Sequence, residues 1–101
     1  MFVTNVAGVT FRPEALDMAE RGMKVSLQAE RNNPHDPDAV AVWDDLHCVQ
    51  FGYIKRNYTK VVRACLERGE AIEGEIIDIV GGKDGLTKGI VIRVQRAIDG
   101  D

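Results

Sequence analysis

No apolar run in this chain approaches the ~20 residues that a membrane-crossing helix needs, so no membrane partner is expected. The first residues, MFVTNVAGVTF, lack the positive segment and small-residue cleavage site of a signal peptide. Cysteine is scarce. Cys48 and Cys65 are the only two, and their spacing fits neither a metal site nor a redox pair. Cys48 falls on an expected strand and Cys65 on the apolar face of an expected helix, so both read as buried free thiols of a cytoplasmic protein. A basic excess is missing as well. Thirteen Lys and Arg stand against sixteen Asp and Glu, a formal net charge of −3, which counts against coating nucleic acid by bulk charge. There is no G-x-S-x-G, P-loop or H-E-x-x-H. A nucleophilic cysteine would need a histidine partner, and Cys65 reads as buried. Neither enzymatic chemistry nor a cofactor is expected.

What the chain does have is enough length for a modest core. Its 101 residues, 45% of them hydrophobic, are expected to form one domain over residues 1–101, with no repeat, low-complexity tract or linker. Phe2 to Val9 reads as a strand in which Gly8 marks a bulge or a close backbone approach. Phe11 to Gly22 carries Pro13 near its start and Ala15, Leu16 and Ala19 at helical spacing, a short helix or helical turn ended by Gly22. Met23 to Glu30 alternates Met23, Val25, Leu27 and Ala29 against Lys24, Ser26, Gln28 and Glu30, the pattern of a half-buried strand. Ala39 to Trp43 and His47 to Ile54 read as a hairpin turning at Asp44-Asp45. Asn57 is placed to cap a helix from Tyr58 to Arg68. Val61, Val62, Cys65 and Leu66 would form its apolar stripe, and Gly69 would stop it. Ile72 to Val80 is a fifth strand, Gly81 to Gly89 a loop with an Asp84-Gly85 turn, and Gly89 to Ala97 the last strand. Short strands with one well-defined helix inserted late predict a mainly β (α+β) protein, a small barrel of about six strands.

The most informative stretch is Arg31 to Trp43, RNNPHDPDAVAVW. Pro34 and Pro37 fix their own φ and push the residues before them toward extended backbone, so His35 and Asp36 are expected to be held in place. A rigid loop presenting an imidazole beside a carboxylate at the mouth of a sheet has the character of a recognition site. Charge is also unevenly spread. Lys55 to Arg68 holds Lys55, Arg56, Lys60, Arg63 and Arg68 against Glu67 alone, a formal +4. A basic face on an acidic body suits a small, defined nucleic-acid site.

Three blocks in order carry a family resemblance: VAGVTF at Val6 to Phe11, NNPHDPDAVAV at Asn32 to Val42, and FGYIKRNYTKV at Phe51 to Val61. Together they resemble the HIRAN domain over nearly the whole chain. The resemblance implies an OB-like β-barrel that binds DNA, and in fork-remodelling helicase-like members captures a single-stranded 3′-hydroxyl end. It implies that Phe11 and His35 stack on bases, where the family most often has tyrosine at the second position. Asp36 would accept from the terminal hydroxyl, and a carboxylate there disfavours a 3′-phosphate. Lys55 and Arg56 would hold phosphates, aided by helix N-terminal donors, and Tyr53 would contact sugar or base. Thr10 departs from the family, where an arginine commonly precedes the aromatic; Arg12 on its other side is a candidate substitute. The expected partners are single-stranded DNA or its 3′ ends, and a DNA-processing factor that the domain recruits or orients.

Each of these residues also has a plainer reading. Phe11 could be core, His35 a surface turn residue, and Asp36 an Asx-turn former bonding its own downstream backbone. Asn32 and Asn33 read as turn formers, and Lys60 and Arg63 as solvated helix residues or outer phosphate contacts. An alternative function is a protein-interaction module that holds a peptide in the same groove or accepts a strand at a sheet edge. A weaker one is a metal-dependent hydrolase using His35, Asp36, Asp38 and His47, whose spacing matches no ligand motif.

Overall fold

The computed structural model describes residues 1–82 and 88–97. Period-two alternation places one apolar face on each of six strands: β1 (Phe2–Asn5), β2 (Lys24–Ala29), β3 (Val40–Asp44), β4 (Gln50–Tyr53), β5 (Ile72–Val80) and β6 (Gly89–Arg96). They form one sheet in the order β1-β6-β5-β2-β3-β4 with every neighbouring pair antiparallel. A 3₁₀ turn (Val9–Phe11) and helix α1 (Pro13–Met18) follow β1, and helix α2 (Arg56–Glu67) follows β4. Just beyond β1 the chain meets β4. Ala7 N–H donates to Tyr53 O at 2.8 Å, and Tyr53 N–H donates to Ala7 O at 2.9 Å. This bridge between the two outermost strands curls the sheet into an OB-like barrel. It also requires glycine at 52, where a Cβ would run into the Ala7 carbonyl oxygen with Val6 Cγ1 only 2.9 Å away.

Val40, Val42, Phe51, Ile76, Ile90, Ile92 and Val94 fill the interior at 1% exposure or less. Val62 of α2 joins them from the helix side. Burying such side chains contributes about 1.5–3 kcal/mol each. The Phe2 ring stacks on Tyr58 of α2 with centroids 4.2 Å apart, and α2 also packs on β3. The helix ends in a Schellman motif: Glu70 N–H bonds to Cys65 O at 3.0 Å and Gly69 N–H to Leu66 O at 3.1 Å, with Gly69 at φ 75°.

Several boundaries differ from the sequence reading, each for a local reason. β1 stops at Asn5, because Gly8 at φ 78° turns the chain into the 3₁₀ segment. Helix α1 ends at Met18, because Ala19 is already extended, and Gly22 instead turns the chain into β2 at φ 88°. β4 starts only at Gln50, because the Asp44 carboxylate accepts from Cys48 N–H at 2.7 Å and Val49 N–H at 2.9 Å and closes a wider turn. Cys48 is therefore on the turn and exposed, not a buried strand residue. Helix α2 begins at Arg56 with Lys55 as its cap and no side-chain cap bond, so Asn57 lies inside the first turn. Ile54 N–H has just paired with Val40 O at 2.9 Å, and the chain coils as soon as that pairing ends. The helix face toward the core is Thr59, Val62 and Cys65; Val61 is exposed. The expected Asp84-Gly85 turn lies outside the described residues.

Candidate nucleic-acid interface

The Pro-rich stretch closes on itself through Asn33. Its Oδ1 accepts from His35 N–H at 2.9 Å and Asp36 N–H at 3.1 Å, while its Nδ2 donates to Glu30 Oε1 at 3.1 Å. Asp36 Oδ1 accepts from Asp38 N–H at 2.9 Å, so Asp36 does form an Asx-turn. That bond occupies one oxygen of a group with about four acceptor positions. The turn is then fixed to α2. Arg63 donates to Pro37 O at 3.1 Å, lies 3.9 Å from Asp38, and is steadied by Glu67 at 3.5 Å. Its side chain is only 16% exposed, which sets it apart from a solvated helix residue.

Behind this turn lies a groove of about 280 Å³ lined by Ala7, Asn33, His35, Asp36, Ala39, Tyr53, Ile54 and Arg56. Four of the sequence-predicted residues thus meet: His35, Asp36, Tyr53 and Arg56. Ala7, Ala39 and Ile54 supply an apolar wall, a carboxylate and a guanidinium stand at the rim, and two ring systems are in reach of one occupant. Lys55 is exposed beside Arg56 at the start of α2. Gly8 brings backbone close to the groove, since a Cβ there would touch the Tyr53 ring at 4.0 Å.

Phe11 is not in this groove. It is 88% exposed, which removes the core reading. It lines a separate cleft of about 430 Å³ with Arg12, Glu14, Met18, Cys48 and Gln50. Cleft and groove share no lining residue, but β4 connects them: Gln50 belongs to the first, Tyr53 to the second. Sequence reasoning missed Ala7, Ala39 and Ile54 as walls, Gly52 as a closure requirement and Arg63 as the anchor of the turn. The Gly-Tyr-Ile block was the available signal for Gly52 and Ile54. Nothing local marked Arg63 as the anchor, since the carbonyl it holds, Pro37 O, lies 26 positions away.

Other reactive groups are placed differently. Among the described residues, no three His, Cys, Asp or Glu side chains converge as metal ligands. His47 stacks on Trp43 at the hairpin tip, 5.8 Å between centroids. The Cys65 thiol is buried, and hydrogen bonding to the Glu70 carboxylate together with burial pushes its pKa up, which keeps it protonated and unreactive. No described helix is long and apolar enough to cross a membrane.

The barrel, its closing bridge and the groove behind a Pro-rich turn define a small OB-like binding module. The HIRAN domain family profile matches residues 1–96, and the chain belongs to that family. HIRAN domains are DNA-binding modules and not catalytic ones, so nucleic-acid binding is its class of function. Among solved structures, a protein from Lactobacillus plantarum superposes with a TM-score of 0.71 at 24% identity, over 94% of this chain and 93% of the other. The HIRAN domain of human HLTF superposes with a TM-score of 0.66 at 20% identity, over 90% of this chain and 71% of the other. A search of curated proteins returned no match.

Proposed function

We propose that the protein binds single-stranded DNA at its 3′-hydroxyl end and performs no chemistry on it. The observation that carries this reading is the groove that gathers His35, Asp36, Tyr53 and Arg56 behind one rigid turn. The terminal nucleoside occupies the groove, with its base against His35 and its 3′-hydroxyl donating to Asp36. Arg56 and Lys55 hold the adjacent phosphates. The strand then crosses the bare backbone at Gly8 and stacks a further base on Phe11. In this reading the protein is one domain that holds an end for another DNA-processing factor.

Strandedness tests it. Stacking needs unpaired bases, so a single-stranded oligonucleotide should bind more tightly than a blunt duplex. Changing both Phe11 and His35 to alanine should cost about 1–3 kcal/mol per stacked base. Two or three neutralised phosphates give a slope of log K against log salt of about −1.5 to −2. A folded double variant that binds as well as the parent would remove both rings from the site. An affinity blind to strandedness would favour a peptide as the occupant of the groove.

A further inference from the structure

Exposed apolar side chains are not spread evenly over this surface. Among the described residues the three most exposed large ones are Phe11, Leu46 and Met18. Phe11 and Met18 line the cleft between α1 and the β3–β4 hairpin, whose opposite wall is Cys48, Val49 and Gln50. Leu46 stands beside that wall, where its carbonyl oxygen accepts from the Cys48 thiol at 3.6 Å. The fold thus gathers residues from two separate segments into one apolar patch and leaves it in water. Single exposed apolar residues are ordinary, but a contiguous patch rimmed by polar groups marks an interaction surface. Phe and Met are also residue types that protein interfaces favour.

The charge around the patch selects the partner. Glu14 lines the cleft and Asp17 follows it on α1, while Asp44 and Asp45 lead into Leu46 on the hairpin. Against these carboxylates stand Arg12, in the lining, and Lys88, which reaches Asp17 at 3.8 Å. Glu14 and Asp45 are exposed and, among the described residues, join no ion pair. An acidic rim repels phosphates, so a nucleic-acid strand that reaches Phe11 gains nothing by running on past it. The same rim attracts Lys and Arg placed beside apolar anchors. The hairpin wall is also fixed in advance, because the Asp44 carboxylate holds Cys48 N–H and Val49 N–H. That lowers the ordering cost of docking.

We propose that this cleft docks a protein partner through a short segment whose apolar side chains are flanked by Lys or Arg. The apolar side chains enter between Met18 and Val49, beside Leu46 and the Phe11 ring face that a stacked base leaves free, and the cations meet Glu14 and Asp45. The groove behind the Pro-rich turn shares no lining residue with the cleft, so the inference stands apart from the 3′-end reading. The probe is a displayed library of random short peptides selected on the parent protein. The enriched peptides should carry apolar residues beside Lys or Arg, and their affinity should fall as salt rises. The double variant Met18→Ser, Leu46→Ser keeps Phe11 and changes only exposed side chains. It should weaken those peptides about tenfold or more while binding a single-stranded oligonucleotide as the parent does. Glu14→Lys with Asp45→Lys should weaken the same peptides and remove their salt dependence. No enrichment, enrichment of acidic peptides, or peptides that bind the double variant as tightly as the parent would overturn the proposal. So would a double variant that loses the oligonucleotide, which would make the cleft part of the DNA path. Self-association of the parent that the double variant abolishes would make the occupant a second copy and overturn it too. A parent blind to DNA ends that still selects basic, apolar peptides lost in the variant would overturn the groove reading alone.

Discussion

The turn at residues 33–38 and the hairpin tip at residues 45–48 are made from the same materials. Each holds one histidine, and each is closed by a side-chain oxygen that accepts two backbone N–H groups. Asn33 serves His35 and Asp36, and Asp44 serves Cys48 and Val49. Their surroundings differ. Arg63 ties the first turn to α2, and the turn becomes one wall of a groove. The second projects from the barrel with Leu46 80% exposed and His47 at φ 56°, steadied by its own turn bonds and the Trp43 stack. Local bonds set a turn's shape in both cases. A contact from a distant element is what fixes one of them beside its groove, and that contact is invisible at the turn itself.

Removing the anchor should make the two turns alike. Arg63→Ala deletes a charge-assisted bond to Pro37 O and the neighbouring Asp38 contact, and should cost about 1.5–3 kcal/mol of stability. It should also reduce discrimination between DNA ends, because His35 and Asp36 would no longer be held against the groove. Denaturant melts and end-specific binding, measured on the same protein, check both effects. Arg63→Lys should recover only part of each, since an ammonium lacks the guanidinium's fork.

The hairpin tip should tolerate change. His47→Gly relieves a left-handed backbone but adds unfolded-state freedom and loses the Trp43 stack. The net should stay within about 1 kcal/mol in a thermal melt, with DNA affinity unchanged. A large loss of binding would make the tip a second recognition loop and erase the distinction between the turns.

The smallest effect is set by pH and gives the baseline for both comparisons. Hydrogen bonds from Arg21 hold the Asp78 carboxyl below its usual range, and the Cys65 and Arg68 contacts do the same for Glu70. Lowered carboxylate pKa values add stability above the unfolded value near 4 and lose it as pH falls through the folded value. The raised Cys65 pKa acts at the other end, lowering stability as pH rises above about 8.5. Melting temperature against pH should therefore fall modestly on both sides of a broad neutral plateau.

Much of the fold was legible because its strands alternate strictly. β2, β5 and β6 lie within one residue of the limits their alternation sets, and Gly69 ends α2 by the geometry a C-terminal glycine predicts. What was not legible depends on pairing partners. The Ala7–Tyr53 bridge, the late start of β4 and the exposure of Cys48 follow from bonds between segments far apart or from one side chain closing a turn. The site divides the same way. NNPHDP announced a rigid loop, and Asn33 and Asp36 make the turn bonds their residue types favour. The separation of Phe11 from the groove was not announced, because the left-handed Gly8 redirects the chain before Phe11.

The central claim is that Asp36, held by this turn, accepts a terminal hydroxyl. Its most direct test is a competition between two oligonucleotides that differ only in ending with 3′-hydroxyl or 3′-phosphate. It should be run on the parent and on Asp36→Asn, which retains an acceptor oxygen for Asp38 N–H and removes the charge. A bond to a charged acceptor is worth about 1.5–3 kcal/mol, so the parent should prefer the hydroxyl end about tenfold or more. The variant should narrow that gap while holding internal strand with little change. Equal affinity of the parent for the two ends would contradict end capture, even with single-stranded binding intact.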